Sequence, residues 1–526
     1  MSRFLPALLL ASLLTLALGV ASAADLQSFL PSGPYRVGLH VKQQYDRARV
    51  YQHARNPVTA QANGGDRSRP IQTLVWYPAI GHGAPLSYRD YVATVATEEE
   101  FSRTADQVRL ATDLLVRQRS AGAPQVPAAM AQRVRALRDA PERPGKFPVV
   151  IYAPSHSAYA MENADLCEYL ASHGYIVIAS ASLGARSHAM TADLEGAEAQ
   201  ANDIGFLVGY AHTLEQADTT RIGVVGYSWG GLSNVLAAAR DDRIRALVSL
   251  DGSLRAAFEY VNGGPRSARY VTPERLAVPL LYVTRLQGGG QGGDQDKGEI
   301  DSGIGADLLA RMRYADIYLA TMEAASHMDF SSWSLRMAPD SAFRGRTRAR
   351  AEAAYGAMAR TVQRFLDARL KNDAAALRLL DADLAPNATP PGLVSLAVRR
   401  AASPAPTMDT FLDQLGRQGF ERIGAIYDQL HAQNPELSLD PLQVHDWGMK
   451  LLRERRPREA AQVFALGVRL YPERFEFLYD GLGQAQEAAG ERAGAIASYR
   501  QALALEPTHP HARERLGALE AAPAMQ

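Results

Sequence analysis

Between residues 147 and 250 the apolar positions fall into short continuous runs separated by longer amphipathic stretches. Residues 148–153 (PVVIYA) are almost unbroken in their apolarity, the pattern of a parallel strand covered on both faces. Residues 162–173 carry helical spacing, and Gly174 supplies a stop. Residues 175–179 predict a strand, 193–216 a long helix, 221–226 (RIGVVG) a second buried strand, and 229–240 a helix rich in Ala and Leu. Strands at 244–250, 279–284 and 316–321 follow, and an amphipathic helix over 348–369 closes the pattern. Such alternation requires crossovers of one hand and a mostly parallel sheet flanked by helices, an α/β class. Upstream, residues 70–77 read as a further strand, ended by Pro78.

The texture changes twice. Residues 98–119 and 128–138 are charged with Leu and Val near helical spacing, separated by Gly122, Pro124 and Pro127, and predict a helical cap inserted over 98–142. A catalytic domain is therefore expected over 24–371, and the Ala- and Pro-rich stretch 372–407 reads as a linker. Beyond it lies a repeat. Trp447-Gly448, Phe464 and Pro472 recur 35 positions later as Leu482-Gly483, Tyr499 and Pro507, and Leu516-Gly517 opens a partial third copy. These positions resemble the tetratricopeptide repeat, with Gly where two helices cross, an aromatic on the second helix and Pro at its end. The resemblance implies an all-α domain over 408–526 that binds a protein or peptide.

At 526 residues the chain is too long for one ordinary core. Lys plus Arg and Asp plus Glu each number 56, so no net field favours nucleic acid or an anionic membrane. Residues 1–23 read as a signal peptide, with Arg3, an apolar run from Leu8 to Val20, and small residues at Ala21-Ser22-Ala23. Export to a periplasm or beyond is the expectation, with no later span able to cross a bilayer. The single cysteine, Cys167, excludes an intrachain disulfide and reads as a small buried hydrophobe.

The chemistry centres on Gly226-Tyr227-Ser228-Trp229-Gly230, a G-x-S-x-G that leaves a buried strand and opens a helix. That is the setting of a nucleophile elbow, so Ser228 is the expected nucleophile. A hydroxyl needs a base, and His327 follows the last strand of the sheet, where the order serine, acid, histidine puts it. Asp251, ending the strand after the elbow helix, is the expected acid; Asp294 and Asp296, one strand later, compete with it. The backbone N–H of Trp229 is the first expected oxyanion donor and that of Ala158, in Ser155-His156-Ser157-Ala158-Tyr159, the second. His156 and Tyr227 are expected to line the pocket. No metal or cofactor is called for.

Residues 73–79 (TLVWYPA), Ser155-His156, the elbow at 226–231, Leu250-Asp251-Gly252 and Ser326-His327-Met328-Asp329-Phe330 together resemble the platelet-activating-factor acetylhydrolase and dienelactone hydrolase branch of the α/β hydrolases over about 70–370. In the acetylhydrolase pattern the acid lies just after the elbow helix, which supports Asp251. Dienelactone hydrolases usually carry cysteine as nucleophile, and Ser157 stands where the acetylhydrolases have Gly. The resemblance implies hydrolysis of a small carboxylic ester through an acyl-enzyme. A peptidase or amidase using the same residues, and a catalytically idle scaffold, are the alternatives.

Overall fold

A computed structural model describes residues 29–56, 59–120, 123–285, 307–323, 325–343, 345–382 and 393–521. The leader at 1–23, together with Asp294 and Asp296, lies outside the described residues. The chain divides into two compact units, Met1–Ala402 and Ser403–Gln526.

The first unit is built on one eleven-stranded sheet among the described residues. Its strands are β1 (Arg36–Val50), β2 (Ser68–Ala79), β3 (Ala84–Ser87), β4 (Arg133–Arg138), β5 (Phe147–Ala153), β6 (Ile176–Ser180), β7 (Ala217–Tyr227), β8 (Ile244–Leu250), β9 (Leu280–Arg285), β10 (Ile317–Met322) and β11 (Val394–Arg399). Their order is β11-β10-β9-β8-β7-β5-β6-β2-β1-β4-β3. The run from β6 through β5, β7, β8 and β9 to β10 is parallel, whereas β2 and β11 join it antiparallel.

The reason for the apolar runs is visible in β5. Val150 and Tyr152 enter the core on one face, packed with the helices Ala164–Ser172 and Arg348–Leu370. Val149 and Ile151 enter the core on the other, with Leu194–Ala211 and Trp229–Ala238. Both faces exclude water, so the period-two alternation that marks a half-exposed strand disappears. Each such side chain contributes about 1.5–3 kcal/mol by its burial. Cys167 is buried in the first of these cores, and burial raises its thiol well above the usual range.

Two readings of the sequence are corrected. Residues 128–138 do not form one helix: Val126–Ala131 is helical, but Arg133–Arg138 is the strand β4, which pairs with β1 in parallel and β3 antiparallel. Val134 and Ala136 alternate with arginines, a period-two pattern short enough to be read as helical spacing. The inserted helix Ala105–Ser120 also begins later than residue 98. The stretch 372–407 is likewise not a plain linker. Its helix Ala374–Ala382 belongs to the first unit and packs on the helix Arg348–Leu370, and β11 pairs with β10 from Ile317↔Arg399 to Met322↔Val394. The pairing is non-local, and local composition rich in Ala and Pro conceals it.

In the second unit the helices Met408–Gln418, Ile423–Gln433, Pro441–Arg453, Pro457–Leu470, Glu476–Ala488, Arg492–Leu505 and Pro510–Ala521 follow one another. From Pro441 onward each packs on the next. Gly483 lies under Tyr499, where a Cβ would come within 2.6 Å of the ring. Close helix crossing therefore depends on the missing side chain.

Candidate active site

β7 ends at Tyr227, Ser228 turns with φ 53° and ψ −114°, and the helix begins at Trp229. The turn is possible because Gly226 and Gly230, two residues before and after Ser228, carry no side chain. A Cβ on Gly226 would overlap the Gly230 backbone, and one on Gly230 would overlap the Ala153 carbonyl. Backbone bonds fix the strained residue: its N–H donates to the Leu250 carbonyl at 3.0 Å, and its carbonyl accepts from Ser253 N–H at 2.9 Å. The Ser228 hydroxyl is thereby held at the carboxyl edge of the sheet, beside the N-terminus of a helix.

Asp251 leaves β8 with φ 41°, its N–H donating to the Val283 carbonyl at 2.6 Å. His327 opens a short turn, His327–Phe330, after β10. The three side chains meet. His327 Nε2 lies 2.9 Å from Ser228 Oγ, and His327 Nδ1 lies 2.6 Å from Asp251 Oδ2. With Nδ1 protonated toward the carboxylate, Nε2 is left as the acceptor facing the hydroxyl. The imidazole is about one-third exposed and the carboxylate nearly buried.

The other expected site residues fall differently. His156 is exposed, its ring meeting Trp229 edge-on at 5.8 Å. Tyr227 is 2% exposed, its ring tilts against His327 at 5.1 Å, and its hydroxyl donates to the His327 carbonyl at 2.8 Å. Successive residues on a strand face opposite sides, so Tyr227 is directed away from the Ser228 hydroxyl and into the core. Ala158 is corrected too. Its N–H donates to the Ser155 carbonyl at 3.2 Å, closing a turn, so it is already engaged. The backbone N–H groups of His156, Ser157 and Trp229 have no acceptor among the described residues.

Several supporting groups escaped the reading of the sequence. Glu162, buried behind the loop, accepts from Ser155 N–H at 2.8 Å and from Ser155 Oγ at 2.5 Å. Burial pushes its carboxyl up, opposed by the Ser155 and Tyr152 hydrogen bonds and by His327. Asn163 donates to the Phe330 carbonyl at 2.9 Å and accepts from Ser332 N–H at 2.8 Å, tying the same segment to the loop of His327. Ser326 N–H donates to Asp329 at 2.8 Å, and Arg346 bridges Ser326 Oγ and Asp329. Burial raises the Asp329 carboxyl, opposed by the Ser326 amide and Arg346. Only Ser326 and Asp329 had a sequence signal, the Ser-x-x-Asp spacing of a cap. Arg285, the last residue of β9, places Nε 3.0 Å from Asp251 Oδ2. No group of three or more His, Cys, Asp or Glu able to hold a metal occurs among the described residues.

Sheet order, elbow and the convergence of serine, histidine and aspartate define an α/β-hydrolase fold. A family model described as Chlorophyllase matches residues 122–257, a stretch that contains Ser228 and Asp251 but not His327. Among solved structures, a ferulic acid esterase from Streptomyces cinnamoneus aligns with TM-score 0.45 and 20% identity, over 65% of this chain and 92% of its own. No curated protein matches.

Proposed function

We propose that the chain is a serine hydrolase acting on carboxylic esters, with Ser228 as nucleophile, His327 as general base and acid, and Asp251 as the carboxylate that orients the imidazole. The observation that carries the reading is the chain of two hydrogen bonds from Asp251 through His327 to Ser228, at 2.6 and 2.9 Å. Ser228 Oγ attacks the ester carbonyl as His327 Nε2 takes its proton. The negative oxygen of the tetrahedral intermediate accepts from Trp229 N–H and from His156 or Ser157 N–H, the unengaged donors of the two facing loops. Collapse breaks the bond to the leaving oxygen, which receives the proton from His327 and departs as alcohol. Water, deprotonated by the same imidazole, then attacks the acyl-enzyme, releasing the acid and restoring the Ser228 hydroxyl.

The match to the Chlorophyllase model supports an ester as the scissile bond. The resemblance to the acetylhydrolase branch favours a short acyl group. Residues 1–23 are proposed to direct export, and the helices beyond Ser403, read as tetratricopeptide repeats, to bind a protein partner.

A fluorophosphonate should label the wild-type chain covalently, and Ser228→Ala should abolish labelling. The same substitution should lower turnover of p-nitrophenyl esters by about four orders of magnitude or more. Equal labelling of both proteins would remove the enzyme and leave a scaffold.

A further inference from the structure

The carboxylate of Asp251 is unevenly served. Among the described residues Oδ1 has one long partner, the Thr284 hydroxyl at 3.4 Å. Oδ2 takes both charged partners: His327 Nδ1 at 2.6 Å and Arg285 Nε at 3.0 Å. Arg285 and Thr284 are the last two residues of β9, the strand beside the one that delivers Asp251, so the sheet itself sets their approach. Asp251 Oδ2 is thus shared between an imidazole and a guanidinium. The guanidinium is one-third exposed, and the carboxylate 8%.

We propose that Arg285 is a positioning residue for Ser228, His327 and Asp251: its guanidinium holds the Asp251 carboxylate and, through it, the aim of the imidazole at Ser228 Oγ. The proposal rests on the hydrolase reading above. An ion pair to the same oxygen that accepts from Nδ1 restricts rotation of the carboxylate, and with it the orientation of the ring. The other ionisable groups around the imidazole are Glu162, behind the loop of Ser155, Tyr227 beneath the ring, and the Asp329–Arg346 pair on its own loop. Glu162 is buried, and Asp329 is neutralised by Arg346, so Arg285 is the cation that acts on Asp251 directly.

The test uses the full chain and the second-order rate of inactivation by a fluorophosphonate, which needs no knowledge of the natural substrate, beside the melting temperature of each variant. In Arg285→Ala the rate should fall by about tenfold while the melting temperature holds. Arg285→Gln, closer in volume and neutral, should lower it likewise, and serves if the alanine variant unfolds. Arg285→Lys, which keeps the charge, should recover most of the wild-type rate. A rate that stays in place in the neutral variants, or one that lysine leaves as low as alanine does, overturns the proposal. If the wild type is not labelled at Ser228, the hydrolase reading fails; labelling at Ser228 with an unchanged rate in the variants removes Arg285 alone.

Discussion

Ser228 and Asp251 both stand at positive φ, 53° and 41°, in a region that side chains with a Cβ rarely occupy. Strain at these two residues is held by hydrogen bonds from the backbone around them, and each projects its side chain toward the same imidazole. Ser157, at φ 52°, adds a third such residue in the facing loop. Strain of this kind persists only where its surroundings over-determine it. Tyr227 is one of those surroundings. Its buried hydroxyl donates to the carbonyl of His327, so Tyr227→Phe should take one hydrogen bond from that carbonyl and leave the imidazole less firmly placed. We expect a loss of about 1 kcal/mol in unfolding free energy and a few-fold fall in the fluorophosphonate rate. Denaturant titration and labelling kinetics check both. An unchanged rate with the stability lost would show that the hydroxyl serves the fold alone.

At the scale of elements, the inserted segment is tied to the loop of the site by a buried carboxylate. Glu98 is 2% exposed and accepts from Ala160 N–H at 2.9 Å, while its other oxygen has no partner among the described residues. Burial pushes its carboxyl up to about 8, opposed by the Ala160 amide and reinforced by Glu99. The unfolded chain releases this proton near 4.5, whereas the folded chain holds it until about 8. Between those values the folded state binds more protons, so stability falls as pH rises and levels off above about 8. Glu168, pushed up to about 7 by burial, adds to the decline in the same direction. Glu98→Gln should flatten the slope and stabilise the protein by on the order of a few kcal/mol at pH 8 relative to the wild type, with little gain at pH 5. Melting temperatures across that range decide it; parallel curves for the two proteins would mean that Glu98 is ionised in the fold.

For the whole molecule, the division at Ala402 and Ser403 separates the sheet from the helical tail. Serine, histidine, aspartate and the free amides of both loops all belong to the first unit. A chain ended after Ala402 keeps β11, and should retain labelling and p-nitrophenyl ester turnover within about threefold of the full chain. Ending it at residue 371, by contrast, removes β11 and exposes the edge of β10, and should cause aggregation. Turnover measured beside size-exclusion chromatography distinguishes the two. Loss of activity in a monodisperse 1–402 chain would tie catalysis to the tail.

The strands of the parallel core were legible because both faces are covered: an unbroken apolar run such as Val149 to Tyr152, too short for a helix, fits only a strand shielded from water on either side. The elbow was legible because its glycines are required sterically wherever a strand turns so sharply into a helix. Ser228, Asp251 and His327 could each be named from position along the chain, since chain order and strand ends are sequence properties. What chain order leaves open is decided by packing between distant segments. β4 and β11 are strands because partners at the sheet edges supply their hydrogen bonds, and neither six-residue run carries enough pattern to say so alone. The Ala158 amide is turned onto Ser155, Tyr227 is buried under His327, and Arg285 shares an oxygen of Asp251, because of where neighbouring strands and loops come to rest. The sequence determined which residues could perform the chemistry. The fold decided which of their hydrogen-bonding groups remain free to do it, because a donor or acceptor is committed only when a partner arrives in space.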